Sequence, residues 1–370
     1  MPSIHRMVAL AAAALAITSA PPASAALAAR SGGERAAGPL PVTGSLAAVT
    51  AISSGDAWAV GVAGRFGTGP LLAHWNGHTW QVAGSKALPS LGQLAGVAKF
   101  PGGAWAVGQA RTAGGRPAMP LIVRLAAATV RRVSILRVQN GVLKAVAAAG
   151  SAHAWAVGYV GRGPALIMRW NGTAWTRARV PRRVTFLGGV AATSARNAWA
   201  VGDTGRGIGS RPVILHWNGS RWSPVTIPAI RHGYQLVSVA AVSARDAWAV
   251  GFTNGLDFPS RTVILHWKGR AWKRVPSPDP FPGGEGDGLA AVAASSAGNA
   301  WVVGNSFTGP FGGPFTERWD GTSWTTVPVP VPAGGAILAG IAISPSGRAW
   351  AVGSGLTATL ILHWNGTAWH

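Results

Sequence analysis

The sequence predicts an all-β chain folded as a seven-bladed β-propeller of four-stranded antiparallel blades. Three observations predict it. First, the pentad A-W-A-V-G, or a near variant, recurs seven times, with tryptophans at Trp58, Trp105, Trp155, Trp199, Trp248, Trp301 and Trp350. The spacings are 47, 50, 44, 49, 53 and 49 residues, the length of one propeller blade. Second, six of the repeats carry a further tryptophan pair five residues apart: Trp75/Trp80, Trp170/Trp175, Trp217/Trp222, Trp267/Trp272, Trp319/Trp324 and Trp364/Trp369. Repeat two has Leu125 and Val130 there instead, and pentads and pairs together use all 19 tryptophans. Third, Asn-Gly usually follows the first member of the pair, as at Asn76-Gly77, Asn171-Gly172, Asn218-Gly219 and Asn365-Gly366. Asn-Gly suits a hairpin turn because it accepts positive φ.

Each repeat reads as four short strands. An L-x-x-V-A-A run is the first, starting near residues 46, 94, 143, 187, 236, 289 and 338. The pentad is the second, an I-L-H-W segment the third, and the stretch from the last Trp to Val and Pro the fourth. A two-residue Asn-Gly turn would set Trp217 opposite Ser220 and Leu215 opposite Trp222, leaving the two tryptophans diagonal neighbours on one face. Strands one and two are apolar on both faces, which stacked blades require and a one-sided sheet does not. Small alanines suit the crowded centre, and Trp suits the widening outer wedge. A fully buried Trp hides ~200 Å², worth roughly 5 kcal/mol gross.

The ends of the chain have their own readings. His5 and Arg6 precede an apolar run from Met7 to Ile17, and Ala23-Ser24-Ala25 supplies small residues. This is the pattern of a signal peptide, here residues 1–25, cleaved after Ala25. Residues 26–37 read as linker and 38–370 as the propeller. No later segment is long and apolar enough to span a bilayer as a helix. The last repeat stops at Trp369-His370, while Pro39-Leu40-Pro41-Val42-Thr43 resembles Val327-Pro328-Val329-Pro330. Residues 38–43 are therefore expected to complete the seventh blade and fasten the ring.

Charge is scarce and one-sided. Charged residues are 11% of the chain, and 32 Lys and Arg against 10 Asp and Glu give +22. Between Asp56 and Asp203 there are 17 basic residues and no acid. They include the sets Arg124, Arg131, Arg132, Arg137 and Arg177, Arg179, Arg182, Arg183. Six of the ten acids fall between Asp257 and Asp320. Arg excess with heavy Ala and Gly is also what a biased genome composition produces. Either way, such a field attracts polyanions. There is no Cys, so neither a disulfide nor a lipidated Cys is available.

Loop lengths point to the binding face. Links from strand one to two and from three to four are short and constant. Links from two to three, and from four to the next repeat, vary: Gly108 to Pro120, Gly202 to Arg211, Gly251 to Arg261, Gly304 to Pro314 and Val275 to Gly288. Variable loops on a rigid scaffold are where binding resides. The candidate ligand-binding residues there are Arg111, Arg116, Tyr159, Arg162, Arg206, Arg211, Phe252, Asp257, Phe258, Phe307 and Phe311.

Other side chains read as structural. His74, His216, His266 and His363 each lie in a different repeat, too far apart to share a metal ion. Asp56, Asn197, Asp246 and Asn299 are expected to cap the turn before the pentad. No metal or cofactor is expected. The nucleophile elbow and the zinc-protease helix are missing, so no catalytic residue is assigned and the chain is read as no enzyme. If it were a polysaccharide hydrolase or lyase, its acids would come from Asp257, Asp279, Glu285 and Asp287. No run alternates basic and stacking residues, so no specific nucleic-acid partner is expected.

The run Ser243 to Gly251, S-x-x-D-A-W-A-V-G, and the segment His266 to Trp272 resemble repeats of secreted bacterial propellers, a group allied with Asp-box, kelch and tectonin-type propellers. The resemblance covers residues 38–370 and implies the fold. The Asp-box pattern itself is not kept, since Ala247 and Trp248 directly follow Asp246. A sialidase-like site would need an arginine triad and a catalytic Tyr, and only Tyr159 and Tyr234 exist. A copper site like that of galactose oxidase would need a Cys. Similarity to tectonin-type lectins implies glycan binding. The expected function is thus a secreted, non-catalytic binding module for a glycan or anionic polymer. The alternative is a protein-interaction scaffold with a cell-envelope protein as partner.

Overall fold

The computed structural model describes Leu40 and residues 42–64, 67–111, 117–126, 129–205, 210–231, 233–253, 259–278, 280–281, 286–306, 313–356 and 358–370. These form seven antiparallel sheets, spanning residues 44–82, 91–132, 141–177, 184–224, 234–275, 287–327 and 336–364. Blade four is typical, with strands Val184–Ser194, Asn197–Thr204, Arg211–Trp217 and Trp222–Pro224 paired in chain order. Inner strands of successive blades touch all the way round, including the last with the first. This is the seven-bladed propeller that the repeat predicts.

The inner strands pack very closely. A Cβ on Gly96 would lie 2.8 Å from the Cα of Ala145, and one on Gly340 would lie 2.9 Å from the Cα of Ala48. The second of these contacts joins blade seven to blade one. Each inner strand slips register by one residue just after a buried leucine, as between Leu46 and Ala48 or Leu187 and Gly189. Opposite that leucine sits the pentad glycine, Gly61 or Gly202 in these blades. A Cβ there would collide with the inner-strand carbonyl of Ser45 or Phe186. The bulge thus explains why the pentad ends in Gly.

Tryptophans hold neighbouring blades together. The pentad Trp of one blade nests against the Trp pair of the next: Trp105 on Trp170 and Trp175, Trp199 on Trp267 and Trp272, Trp248 on Trp319 and Trp324. Trp301 does the same with Trp364 and Trp369, and Trp350 with Trp75 and Trp80 across the closing junction. Trp155 packs with Trp217 and Trp222. Typical centroid separations are 5.1 and 5.3 Å, one ring tilted and one edge-on. Edge-on pairs add about 0.5–1.5 kcal/mol beyond burial. Trp58 faces Leu125 in the blade that lacks the pair, with Val130 packed beside them.

The hairpin differs from the two-residue turn expected from Asn-Gly. Trp217 pairs directly with Trp222, and Trp75 with Trp80, so the loop has four residues. The Asn218 side-chain oxygen accepts from the backbone N–H of Ser220 and Arg221, at 3.0 and 3.1 Å. Only Gly219, at φ +101°, takes positive φ. The side-chain bond widens the turn and sets the two tilted indoles opposite each other across the strands. In blade six Asp320 replaces Asn, and the backbone N–H of Ser323 and the Thr322 side chain and N–H lower its pKa to about 2.

The seventh blade has three full strands, ending with Thr359–Trp364. The start of a fourth is Trp369-His370, where His363 and His370 exchange backbone hydrogen bonds of 2.9 and 3.0 Å. The Trp369 indole N–H donates to Thr316 Oγ1 in blade six at 3.1 Å. Leu40 is buried among Trp75 and Trp80 of blade one and Trp350 and Ile361 of blade seven, with Val42 packed beside it. Among the described residues, 42–43 form no strand against blade seven. The signal and linker segments, residues 1–37, lie outside the described residues, as do 38, 39 and 41.

Leu40 and Trp369 therefore both carry junction packing. Trp369→Ala is expected to destabilise the fold by about 3–5 kcal/mol and Leu40→Ala by about 2–5 kcal/mol. Denaturant unfolding checks both, and an unchanged midpoint would show that the junctions hold without them.

Candidate functional site in a niche on the variable face

The histidines and their partners are structural. His74, His216 and His266 lie on the pentad Trp of their own blades, at 4.2, 4.3 and 3.6 Å. Their Nε2 atoms meet Asp56, Asn197 and Asp246 at 3.0, 2.8 and 2.9 Å. Of the Asp and Asn residues expected to cap the turn, Asp56, Asn197 and Asp246 thus hold the histidine instead, while Asn299 Nδ2 donates to Ser295 Oγ at 2.9 Å. The capping falls to serines: Ser53, Ser194 and Ser243 Oγ accept from the backbone N–H two residues on. Burial holds the His266 pKa down even beside Asp246. Arg124 and Arg318 replace the histidine in their blades, over Trp105 and Trp301.

The chain builds a recurring niche at the variable-face end of a blade. It lies between the start of the third strand and the tail leaving the fourth. In blade five it is a pocket of about 420 Å³ lined by Arg261, Thr262, Arg274, Ser277 and Asp287, among others. In blade three it is a pocket of about 330 Å³ lined by Pro164, Ala165, Arg177, Ala178, Arg179 and Val180. Thr262 and Ala165 each stand five residues before the first Trp of their pair, so the places are equivalent.

Behind the blade-five niche is a buried polar cluster. Glu317, on strand Gly313–Trp319 of blade six, is fully buried. Ser277 Oγ lies 3.1 Å from both its carboxyl oxygens and 2.8 Å from Thr262 Oγ1. Burial, with the Asp287 carboxylate adding to it, pushes the Glu317 pKa up to about 8 against the Ser277 bond. Asp287 is itself buried, and its N–H donates to Ser260 O at 2.9 Å. A second acid, Asp203 in blade four, is pushed up to about 7 by burial.

The candidate residues read from the sequence do not gather into one site. Arg111 ends the second strand of blade two and is exposed. Tyr159 is half-buried in blade three, 5.6 Å from the Phe186 ring, and burial raises its pKa. Arg162 is exposed two residues before Pro164, beside the blade-three niche. Arg211 is exposed at the start of a blade-four strand. Phe252 pairs across the sheet with Thr262 and so adjoins the blade-five niche. Arg116, Arg206, Asp257, Phe258, Phe307 and Phe311 lie outside the described residues, as do Asp279 and Glu285. Of the acids proposed for hydrolysis, Asp287 alone is described.

Sequence reasoning missed Glu317 and Lys144. Glu317 stands where the other third strands carry an apolar residue, such as Leu215 or Leu265, and that exception was the available signal. Lys144 is the charged residue at an inner-strand bulge that elsewhere holds Ala, Gly or Val, and burial lowers its pKa. Among the described residues no group of three metal-ligating side chains converges, and no helix is long and apolar enough to cross a membrane.

No family model and no curated protein sequence matches the chain. Its structure is similar to that of YCF48 bound to D1 peptide, with 16% identity, a TM-score of 0.60, and 88% of this chain and 93% of that one covered. It is similar to the GH74 xyloglucanase of Xanthomonas campestris, with 16% identity, a TM-score of 0.53, and 75% and 45% covered. A six-bladed fucose-recognising lectin of Aleuria aurantia matches at 11% identity and a TM-score of 0.50, with 75% and 94% covered. At these identities the likeness shows the propeller fold alone.

Buried Glu317 makes stability depend on pH. With its pKa raised from the ordinary 4.5 to about 8, the folded chain keeps a proton that the unfolded chain has released. Stability is therefore fullest below about pH 4.5 and is lost as pH rises through about 8, by on the order of a few kcal/mol. Asp203 adds a loss in the same direction up to about pH 7. Glu317→Gln keeps an amide in place of the acid and is expected to flatten thermal midpoints between pH 5 and 9. An equally steep profile in that variant would show that Glu317 does not titrate there.

Proposed function

We propose that this chain is an exported, non-catalytic binding module for an extracellular or cell-surface polymer, a glycan or an anionic chain. The observation that carries this reading is the niche repeated at equivalent places of blades three and five, open and lined by arginines. A rigid ring presenting two shallow niches suits a repeating ligand, because linked weak contacts give avidity beyond any single one. The Trp-bound blades supply the rigidity, so little ordering is lost on binding. A fucose-recognising lectin and a protein bound to a peptide among the similar structures support a binding role.

One observation favours a second reading, polysaccharide hydrolysis. Asp287 lines the blade-five niche, and Glu317 behind it carries a raised pKa, as a general acid would need. Against it, Glu317 is fully buried and bonded to Ser277, so no substrate atom reaches it without movement of the 276–278 tail.

The test is retention of mature protein on insoluble polysaccharides and peptidoglycan at low and high salt, with assay of released reducing ends. Retention without release is the expected result. Released sugar, lost in Glu317→Gln, would establish the hydrolase. No retention on any polymer would overturn the binding reading and favour an envelope protein as partner.

A further inference from the structure

We propose that the niche of blade three binds a carboxylate-bearing sugar of an acidic polysaccharide, with Arg177 and Arg179 as its anion-holding pair. The inference rests on the polymer-binding reading above and gives it a site and a ligand class. Arg177 and Arg179 both line the niche and both are exposed. Pro164, Ala165, Ala178 and Val180 supply the rest of its wall, all apolar. An apolar wall suits the C–H face of a pyranose ring, and guanidinium forks match a carboxylate bidentately.

Charge around the niche points the same way. Blades two and three lie wholly inside the stretch from Asp56 to Asp203 that has no acid. Arg131, Arg132 and Arg137 are exposed on the blade-two edge and tail, and Arg182 and Arg183 on the tail leaving blade three. Among the described residues, the side chains of these five and of Arg177 and Arg179 have no hydrogen-bonded or ion-paired partner. The blade-five niche has arginines too, yet Asp287 shares it and offsets part of their charge. The two niches thus share a place in the blade and differ in how far their arginines are offset.

Arg183 adds an independent observation. It sits at φ +72°, third in the turn from Pro181 closed by Val184 N–H on Pro181 O at 3.4 Å. In the equivalent turn from Pro332 that position is Gly334, at φ +93°. A left-handed backbone costs a non-glycine residue roughly 1 kcal/mol. Glycine would serve the fold better here, and arginine serves the surface charge.

That makes Arg183→Gly a test that separates folding from binding. The probe is fluorescent polygalacturonate, with its fully methyl-esterified form and single-stranded DNA of equal length as comparisons, titrated over a salt series. The expected results are tighter binding of polygalacturonate than of either comparison and at least tenfold loss in Arg177→Gln/Arg179→Gln. Arg183→Gly should weaken binding several-fold with an unchanged or higher melting temperature. Equal binding of the esterified chain would overturn the proposal in favour of a neutral-glycan site. Equal or tighter binding of DNA would overturn it in favour of general attraction by charge. Polygalacturonate binding that ignores the Arg177/Arg179 change would sink this site and leave the polymer-binding reading standing. No retention of polygalacturonate or of any polysaccharide tested above would sink both.

Discussion

The fold depends on one contact repeated round the ring, a pentad tryptophan wedged against the tryptophan pair of the next blade. Eighteen of the nineteen tryptophans take part in such groups. The contact is between blades, so it replaces the disulfides that a chain without Cys cannot form. It also fixes distance and angle, since indoles meet both tilted and edge-on. Within the blade, Trp75, Trp170, Trp217, Trp267 and Trp319 donate their ring N–H to the carbonyl of the first hairpin, at 3.0 to 3.2 Å. The same residue type therefore ties hairpin to hairpin and blade to blade.

The His–Asp or His–Asn pairs belong to this arrangement. Each lies over the pentad indole and shields it from solvent on the constant face. Arginines take that place in other blades, where the guanidinium sits over a ring with no acid beside it. A rigid constant face leaves the opposite face free to vary. The tails that leave each fourth strand pack their apolar residues between blades, as Val329 and Ile227 do, and present the rest outward. What a niche offers a ligand is thus decided by a few tail residues on a fixed frame.

The division of charge follows from that frame. Blades two and three expose arginine and hold no acid of their own, while blade six buries two carboxyls at the larger niche. Burying Glu317 favours its neutral form and ties the stability of the blade-five junction to pH. Exposing Arg177 and Arg179 costs the fold little and gives the surface a field. Electrostatics in this molecule work against the charged form of Glu317 at one niche and leave an uncompensated positive field at the other.

The repeat, the strand order, the blade number and the identity of the constant and variable faces were legible from the sequence alone. Periodic burial and hairpin chemistry are local, so residues a few positions apart declare them. The hairpin register was misjudged because the Asn218 side chain, a local partner that composition does not reveal, widens the turn. The candidate residues were chosen by type on variable loops, and those described are spread over four blades, with Tyr159 and Arg162 together in blade three. Only tertiary structure decided which tryptophans meet, since partners such as Trp248 and Trp319 are far apart in the chain. It alone placed Glu317 behind Asp287 and set Arg177 beside Arg179 in an open niche. Whether a charge is buried or exposed depends on which neighbouring segment covers it, and that is settled only when the blades close into a ring.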